Sequence, residues 1–147
     1  MQNQMNKYRR LKNLFLRQSY LDAWEDYQRS ILKKSFPKWD YIVLTASNEE
    51  QGKAFQKQIE YRSEKGVLPD ATKFLVIPDP DGKRIGSGGA TLHVLRTLSE
   101  REGFLGDFHG KRILVIHSGG DSKRVPQYSV CGKLFSPVPR ELPDGRG

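Results

Sequence analysis

Residues 112–124, RILVIHSGGDSKR, decide the fold. The stretch Arg112-Ile113-Leu114-Val115-Ile116-His117 is a short, continuous apolar run rich in β-branched residues, and it breaks off into the paired glycines Gly119 and Gly120. Such a run without polar alternation predicts a strand covered on both faces. Two more runs of the same kind occur upstream, Asp40 to Ala46 (DYIVLTA) and Thr72 to Ile77 (TKFLVI). Helical patterns separate them. Ser47 and Glu50 stand as a Ser-x-x-Glu capping box, which predicts a helix from Asn48 through Phe55 and Ile59 to Lys65, with Gly66 at the left-handed position after it. A second helix is predicted from about Ala90 to Glu102, with Leu92, Val94, Leu95 and Leu98 facing inward and Gly103 closing it. Three buried strands separated by helices predict a mainly parallel sheet in an α/β layer fold.

Working outward, Lys133 to Pro139 reads as a short edge strand or extended segment, and RELPDGRG after it as a loop. Three or four strands with one edge uncovered would leave apolar surface exposed, so the sheet is expected to be incomplete, with further strands and helices in the intact protein. Upstream, residues 7–34 contain no glycine or proline, and Leu11, Leu14, Leu21, Trp24 and Ile31 recur at spacings of three and seven. That pattern predicts one long or two shorter amphipathic helices, with Arg9, Arg10, Lys12, Arg17, Arg29, Lys33 and Lys34 on the opposite face. The expected organisation is an N-terminal helical segment over residues 1–36 and the α/β domain over residues 37–147.

The formal charge of the 147 residues is +8, which favours an anionic partner such as a nucleotide, a sugar phosphate or a nucleic acid. The lone Cys131 excludes an internal disulfide, and His93, His109, His117 and Cys131 lack the paired spacing of a zinc site. No apolar run approaches the roughly 18 residues of a membrane span, and the first residues lack a secretory apolar stretch. A cytoplasmic protein without a membrane partner is expected.

Two glycine-rich loops fall where strands end, the place at which open α/β sheets bind ligands. In the first, Lys83, Arg84, Gly86, Ser87, Gly88 and Gly89 precede a helix, so backbone amides, the helix start and two cations are candidates for phosphate binding. The stretch GSGGAT lacks the last glycine of GxGxxG, and no GxxxxGK[ST] occurs in the chain. In the second loop, Gly119, Gly120, Asp121, Ser122 and Lys123 lead to Arg124, and Lys133 follows nine residues later. This order suits nucleotidyl transfer, in which charge builds on phosphate oxygens and fixed donors stabilise it. The planar Arg124 suits the β- and γ-phosphates, and the point charge of Lys133 suits the α-phosphate or the sugar phosphate. Asp79, Asp81 and Asp121 sit in the two phosphate-loop candidates, which leaves metal binding open to them, with turn stabilisation the favoured reading. His117 and Ser118 have no Asp partner in view, which argues against a nucleophilic triad.

The segment IHSGGDSKRVPQYSVCGKLFSPVP resembles the GG-x-G-[ST]-R-L-x-P and Pro-Lys signature of sugar-activating nucleotidyltransferases, in the form found in the fucokinase/GDP-fucose pyrophosphorylase family. PDPDGKRIGSGGATLHVL, DYIVLTAS and TKFLVIP extend the resemblance over roughly residues 39–139, with Gly132-Lys133 where Pro-Lys is usual. The resemblance implies a Rossmann-like layered nucleotidyltransferase fold, of which this chain is the leading part. It implies transfer from GTP to L-fucose 1-phosphate, giving GDP-fucose and pyrophosphate, with Arg124 and Lys133 catalytic. It also implies Mg2+, held by aspartates that follow residue 147, and a C-terminal GHMP-type kinase domain in the bifunctional members. One alternative is an intact protein acting mainly as an L-fucose kinase. Another is a basic nucleic-acid-binding module, although the aromatic stacking pattern of single-strand binders is missing.

Overall fold

The computed structural model describes residues 2–32, 37–118 and 134–135. The chain divides into two compact units, and helix α1 belongs to a different one from the sheet.

Helix α1 (Gln2–Leu32) is one continuous helix. At about 100° per residue, Leu11, Leu14, Leu21, Trp24 and Ile31 fall within one arc of about 160°. Arg10, Arg17 and Arg29, expected on the opposite face, fall in the same arc, so the helix has no clean apolar stripe. Within the arc Leu11, Leu14 and Leu21 are exposed, and Trp24 and Ile31 are half-buried. Charge also changes along the helix. Lys7, Arg9, Arg10, Lys12 and Arg17 precede the first acidic residue, Asp22, and Arg29 then bridges Glu25 and Asp26 at 3.1 and 3.3 Å.

In the other unit, β1 (Tyr41–Ala46), β2 (Lys73–Pro78) and β3 (Ile113–His117) form a parallel sheet in the order β2-β1-β3, as the three apolar runs predict. Helix α2 (Glu49–Glu64) connects β1 to β2, and α3 (Gly86–Glu102) connects β2 to β3 past the central strand. Crossovers of one hand that run in opposite directions across a sheet place their helices on opposite faces. The core is divided accordingly. Val43 and Ile77 pack with Val94 and Leu98 of α3, while Leu44 and Ala46 pack with Phe55 and Ile59 of α2. Alternate residues of β1 thus serve both layers.

Local chemistry shifts several boundaries. The N-cap of α2 is Asn48, not Ser47, because extended Asn48 accepts the Gln51 amide at 2.8 Å. Ser-x-x-Glu and Asn-x-x-Gln overlap one residue apart here, and the second supplies the cap. At the other end Gly66, at φ 65°, and Val67 return their amides to Ser63 and Arg62, which ends the helix as predicted. Helix α3 begins four residues early, so Gly86-Ser87-Gly88-Gly89 is its first turn and not a free loop. Ala90, Val94 and Leu98 form its buried row, and Leu92 is 70% exposed, against the inward placement expected for it. Leu134 and Phe135 lie in a turn instead of an edge strand, with Phe135 edge-on to Phe55. The rest of residues 133–139 lies outside the described residues.

The starts of the strands are tied by Glu102, at the end of α3. It accepts hydrogen bonds from Tyr41 Oη at 2.9 Å and Lys73 Nζ at 2.6 Å. The Lys73 bond and then the Tyr41 bond hold the Glu102 carboxyl below the usual carboxylate range, against the opposing effect of burial. Burial first, and the Glu102 bond second, push the Tyr41 phenol up.

Candidate functional site

The order β2-β1-β3 reverses the direction of the crossovers, β1 to β2 one way and β2 to β3 the other, with α2 and α3 on opposite faces, which makes the β1–β3 edge a candidate topological switch point. Past their carboxyl ends stand Ser47, at the start of α2, and Ser118, which opens the second glycine stretch.

The first turn of α3 reaches the same place. Thr91 Oγ1 lies 3.1 Å from His117 Nε2 and donates to the Ser87 carbonyl at 2.9 Å. His117, at the end of β3, is therefore tied to Thr91, a turn beyond Gly86-Ser87-Gly88-Gly89 in the same helix.

The glycines of that turn differ in what they permit. Gly86 has φ 73°, a conformation L side chains rarely adopt. A Cβ on Gly89 would lie 3.0 Å from Ile85 Cβ, so Gly89 lets the turn close over Ile85. At Gly88, by contrast, a Cβ would meet nothing within 4 Å among the described residues. Open space beside the unpaired amides of a helix start is room for an acceptor group. Lys83 and Arg84 are exposed on the approach to the turn, and Ser87 and Gly88 are exposed within it.

Asp79 makes no side-chain capping bond, although its amide donates to the Ala46 carbonyl at 2.7 Å. Asp81 contributes a left-handed residue, φ 54°, to the Pro80–Gly82 turn, so its expected turn role takes the form of backbone conformation. Among the described residues no group of three His, Cys, Asp or Glu side chains could hold a metal ion. No helix among them is long and apolar enough to cross a membrane.

Gly119, Gly120, Asp121, Ser122, Lys123, Arg124 and Lys133 lie outside the described residues. Sequence reasoning missed Thr45, Gln51 and Thr91, which join the ends of β1, α2, α3 and β3. The available signal was their position, each a polar residue within a few positions of a strand end or glycine turn.

The fucose pyrophosphorylase domain model matches residues 106–146. A bifunctional fucokinase/GDP-fucose pyrophosphorylase of Arabidopsis thaliana is 41% identical over 130 residues, covering 74% of this chain and 12% of that protein. The fucose-1-phosphate guanylyltransferase of Mus musculus is 40% identical over 102 residues, covering 69% of this chain and 17% of that protein. An L-fucokinase/L-fucose-1-P guanylyltransferase of Bacteroides fragilis is 35% identical over 72 residues, 46% of this chain and 8% of the relative. The chain thus spans less than a fifth of the length of these relatives. No solved structure matches it.

Proposed function

Given that the chain belongs to the fucose pyrophosphorylase family, we propose that it supplies the nucleotide-loop part of an enzyme transferring a guanylyl group from GTP to L-fucose 1-phosphate. A phosphate oxygen of the sugar attacks the α-phosphorus, the bond to the bridging oxygen breaks, and pyrophosphate leaves with GDP-fucose as the other product. The observation that carries this reading is the Thr91–His117 contact, which ties the end of β3, just before the second glycine stretch in sequence, to the helix that opens with GSGG. A triphosphate needs donors on several sides, and the exposed glycine turn at the start of α3 can supply some of them.

In this reading the amides of Gly86, Ser87, Gly88 and Gly89, with Lys83 and Arg84 on the approach, receive phosphate oxygens. Gly119, Gly120, Asp121, Ser122 and Lys123 supply further phosphate contacts. Arg124 neutralises the β- and γ-phosphates as pyrophosphate departs, and Lys133 holds the α-phosphate or the sugar phosphate. Mg2+ is part of the proposal through the family alone, and no step is routed through it. The sheet is read as the leading part of a Rossmann-like layered nucleotidyltransferase fold.

The kinase alternative is less supported, because the matching model is that of the pyrophosphorylase domain and falls on the second glycine stretch. The test is transfer from labelled GTP to fucose 1-phosphate by the intact enzyme and its Arg124→Ala variant. Loss of one charge-assisted contact predicts a fall in kcat/KM of roughly 10- to 150-fold. Unchanged kinetics would overturn the role of Arg124. ATP-dependent phosphorylation of fucose, with no GTP-dependent product, would replace the reading with the kinase one.

A further inference from the structure

Beyond the last paired residue of β3, Ser118 is held from two elements. Its amide donates to Thr45 Oγ1 at 3.3 Å, and its hydroxyl donates to the Thr45 carbonyl, with a longer contact of 3.4 Å to Gln51 Oε1. Gln51 Oε1 is itself fixed, accepting the Ser47 amide at 2.8 Å and the Ser47 hydroxyl at 3.1 Å. An amide N–H can only donate, so these bonds settle which end of the Gln51 amide is oxygen. Thr45 is buried, and Ser47, Gln51 and Ser118 are half-buried, which makes the group a knot at the sheet edge and not a set of solvated side chains.

We propose that Ser118 is a positioning residue, which together with Thr45 and Gln51 sets the direction in which the chain leaves β3 for the second glycine stretch. The proposal rests on reading that stretch as nucleotide-binding. Ser118 is not a nucleophile here, because its proton is committed to a main-chain carbonyl. The adjacent His117 is turned to Thr91 on the α3 side, whereas Ser118 faces Gln51 on the α2 side. Successive residues leaving the strand thus anchor to opposite layers, which fixes both the position and the rotation of the chain at that point.

The test compares Ser118→Ala, Ser118→Thr, Gln51→Leu and Gln51→Glu by hydrogen exchange over residues 113–118 and by equilibrium binding of GTP. Ser118→Ala should speed exchange in this segment and weaken GTP binding by about tenfold, the effect of an ordinary hydrogen bond. Ser118→Thr keeps the hydroxyl and should restore both. Gln51→Leu should act in the same direction with a smaller effect, and Gln51→Glu, which keeps an acceptor, should recover the exchange protection. The double variant S118A/Q51L should bind GTP no worse than S118A alone, because one unit is removed twice.

Unchanged exchange in both Ser118→Ala and Gln51→Leu overturns the proposal. So does faster exchange in Ser118→Ala with undiminished GTP affinity. Failure of Ser118→Thr to restore protection overturns it as well. If the unmodified chain binds no GTP while exchange follows the expected pattern, the nucleotide reading falls and the anchoring of the chain at Ser118 stands.

Discussion

Gly52 is buried in the second turn of α2, and replacing it with alanine should stabilise the protein. The usual objection to adding a side chain at a buried glycine is collision. Here an ideal Cβ lies 3.7 Å from Pro78 Cβ, 3.8 Å from Val76 Cγ1 and 3.9 Å from Ala46 Cβ, all ordinary van der Waals contacts with apolar carbons. The backbone carries no positive φ at this residue, and the Gly52 amide makes its helical bond to the Asn48 carbonyl at 3.0 Å. Helix propensity favours alanine by about 1 kcal/mol, chiefly because glycine loses more freedom on folding. The buried methyl adds at most about 0.8 kcal/mol. We therefore expect Gly52→Ala to gain between about 1 and 2 kcal/mol, which for an m-value of roughly 2 kcal/mol/M raises the urea midpoint by about 0.5–1 M. Urea titration followed by circular dichroism, with m fitted independently, measures this in the 147-residue chain. A midpoint that falls, with m unchanged, would refute the assignment of Gly52 to open, apolar contact distance. Gly89→Ala is the internal contrast. Its Cβ would stand 3.0 Å from Ile85 Cβ, so the gain in propensity should be offset or reversed by displacement of Ile85.

Other substitutions check other parts of the molecule. Leu98→Ala, at a fully buried position, should cost about 2–5 kcal/mol, while Leu92→Ala, at an exposed one, should stay within about 0.5 kcal/mol. Thermal unfolding of the pair tests the orientation of α3. Thr91→Val keeps shape and removes the His117 bond, so it should lower stability by about 1 kcal/mol and, in the proposed reading, weaken GTP binding several-fold; a melting curve and a titration that both match wild type would remove the link between α3 and the end of β3. Glu102→Gln should cost about 1 kcal/mol at neutral pH, a modest figure because Lys73 is half exposed. The folded pKa of Glu102 is depressed, so its contribution is present above the ordinary glutamate range and is lost as pH falls through the lower folded value. Unfolding curves of wild type and Glu102→Gln should converge on acidification, and divergence would contradict the sign. For Tyr41 the pKa is raised, so its contribution is complete below the ordinary tyrosine value of 10.0 and is lost as pH rises through the higher folded value.

The strands were legible because a strand covered on both faces must be apolar throughout, and only three stretches of the chain meet that condition before Ser118. Their order was not legible, since nothing local in Ile113 to His117 says that it pairs with β1 instead of β2. GSGG read as a loop because isolated glycines disfavour helix. Tertiary contacts overrule this, with Gly89 closing over Ile85 and Thr91 tying the turn to His117. The charged face of α1 was misread because Arg10, Arg17 and Arg29, placed opposite the apolar row, fall within about the same arc as Leu11, Leu14, Leu21, Trp24 and Ile31. At the site, glycines and cations were conspicuous in sequence, while Gln51 and Thr45 were not. Their part depends on strands and helices far apart in the chain arriving at the same edge.

Helix α3 is fastened at both ends. Thr91 binds His117 beyond the strand ends, Glu102 binds Tyr41 and Lys73 at the strand starts, and Val94 and Leu98 are embedded between. A rod held in this way cannot tilt to follow a ligand. In the proposed reading, the adjustment that phosphate oxygens demand is absorbed by the few backbone torsions ahead of the first fastening, in Gly86, Ser87, Gly88 and Gly89. The glycines then act as a compliant tip on a stiff support, and substitutions that stiffen the tip should slow ligand entry and departure together while leaving the sheet beneath undisturbed.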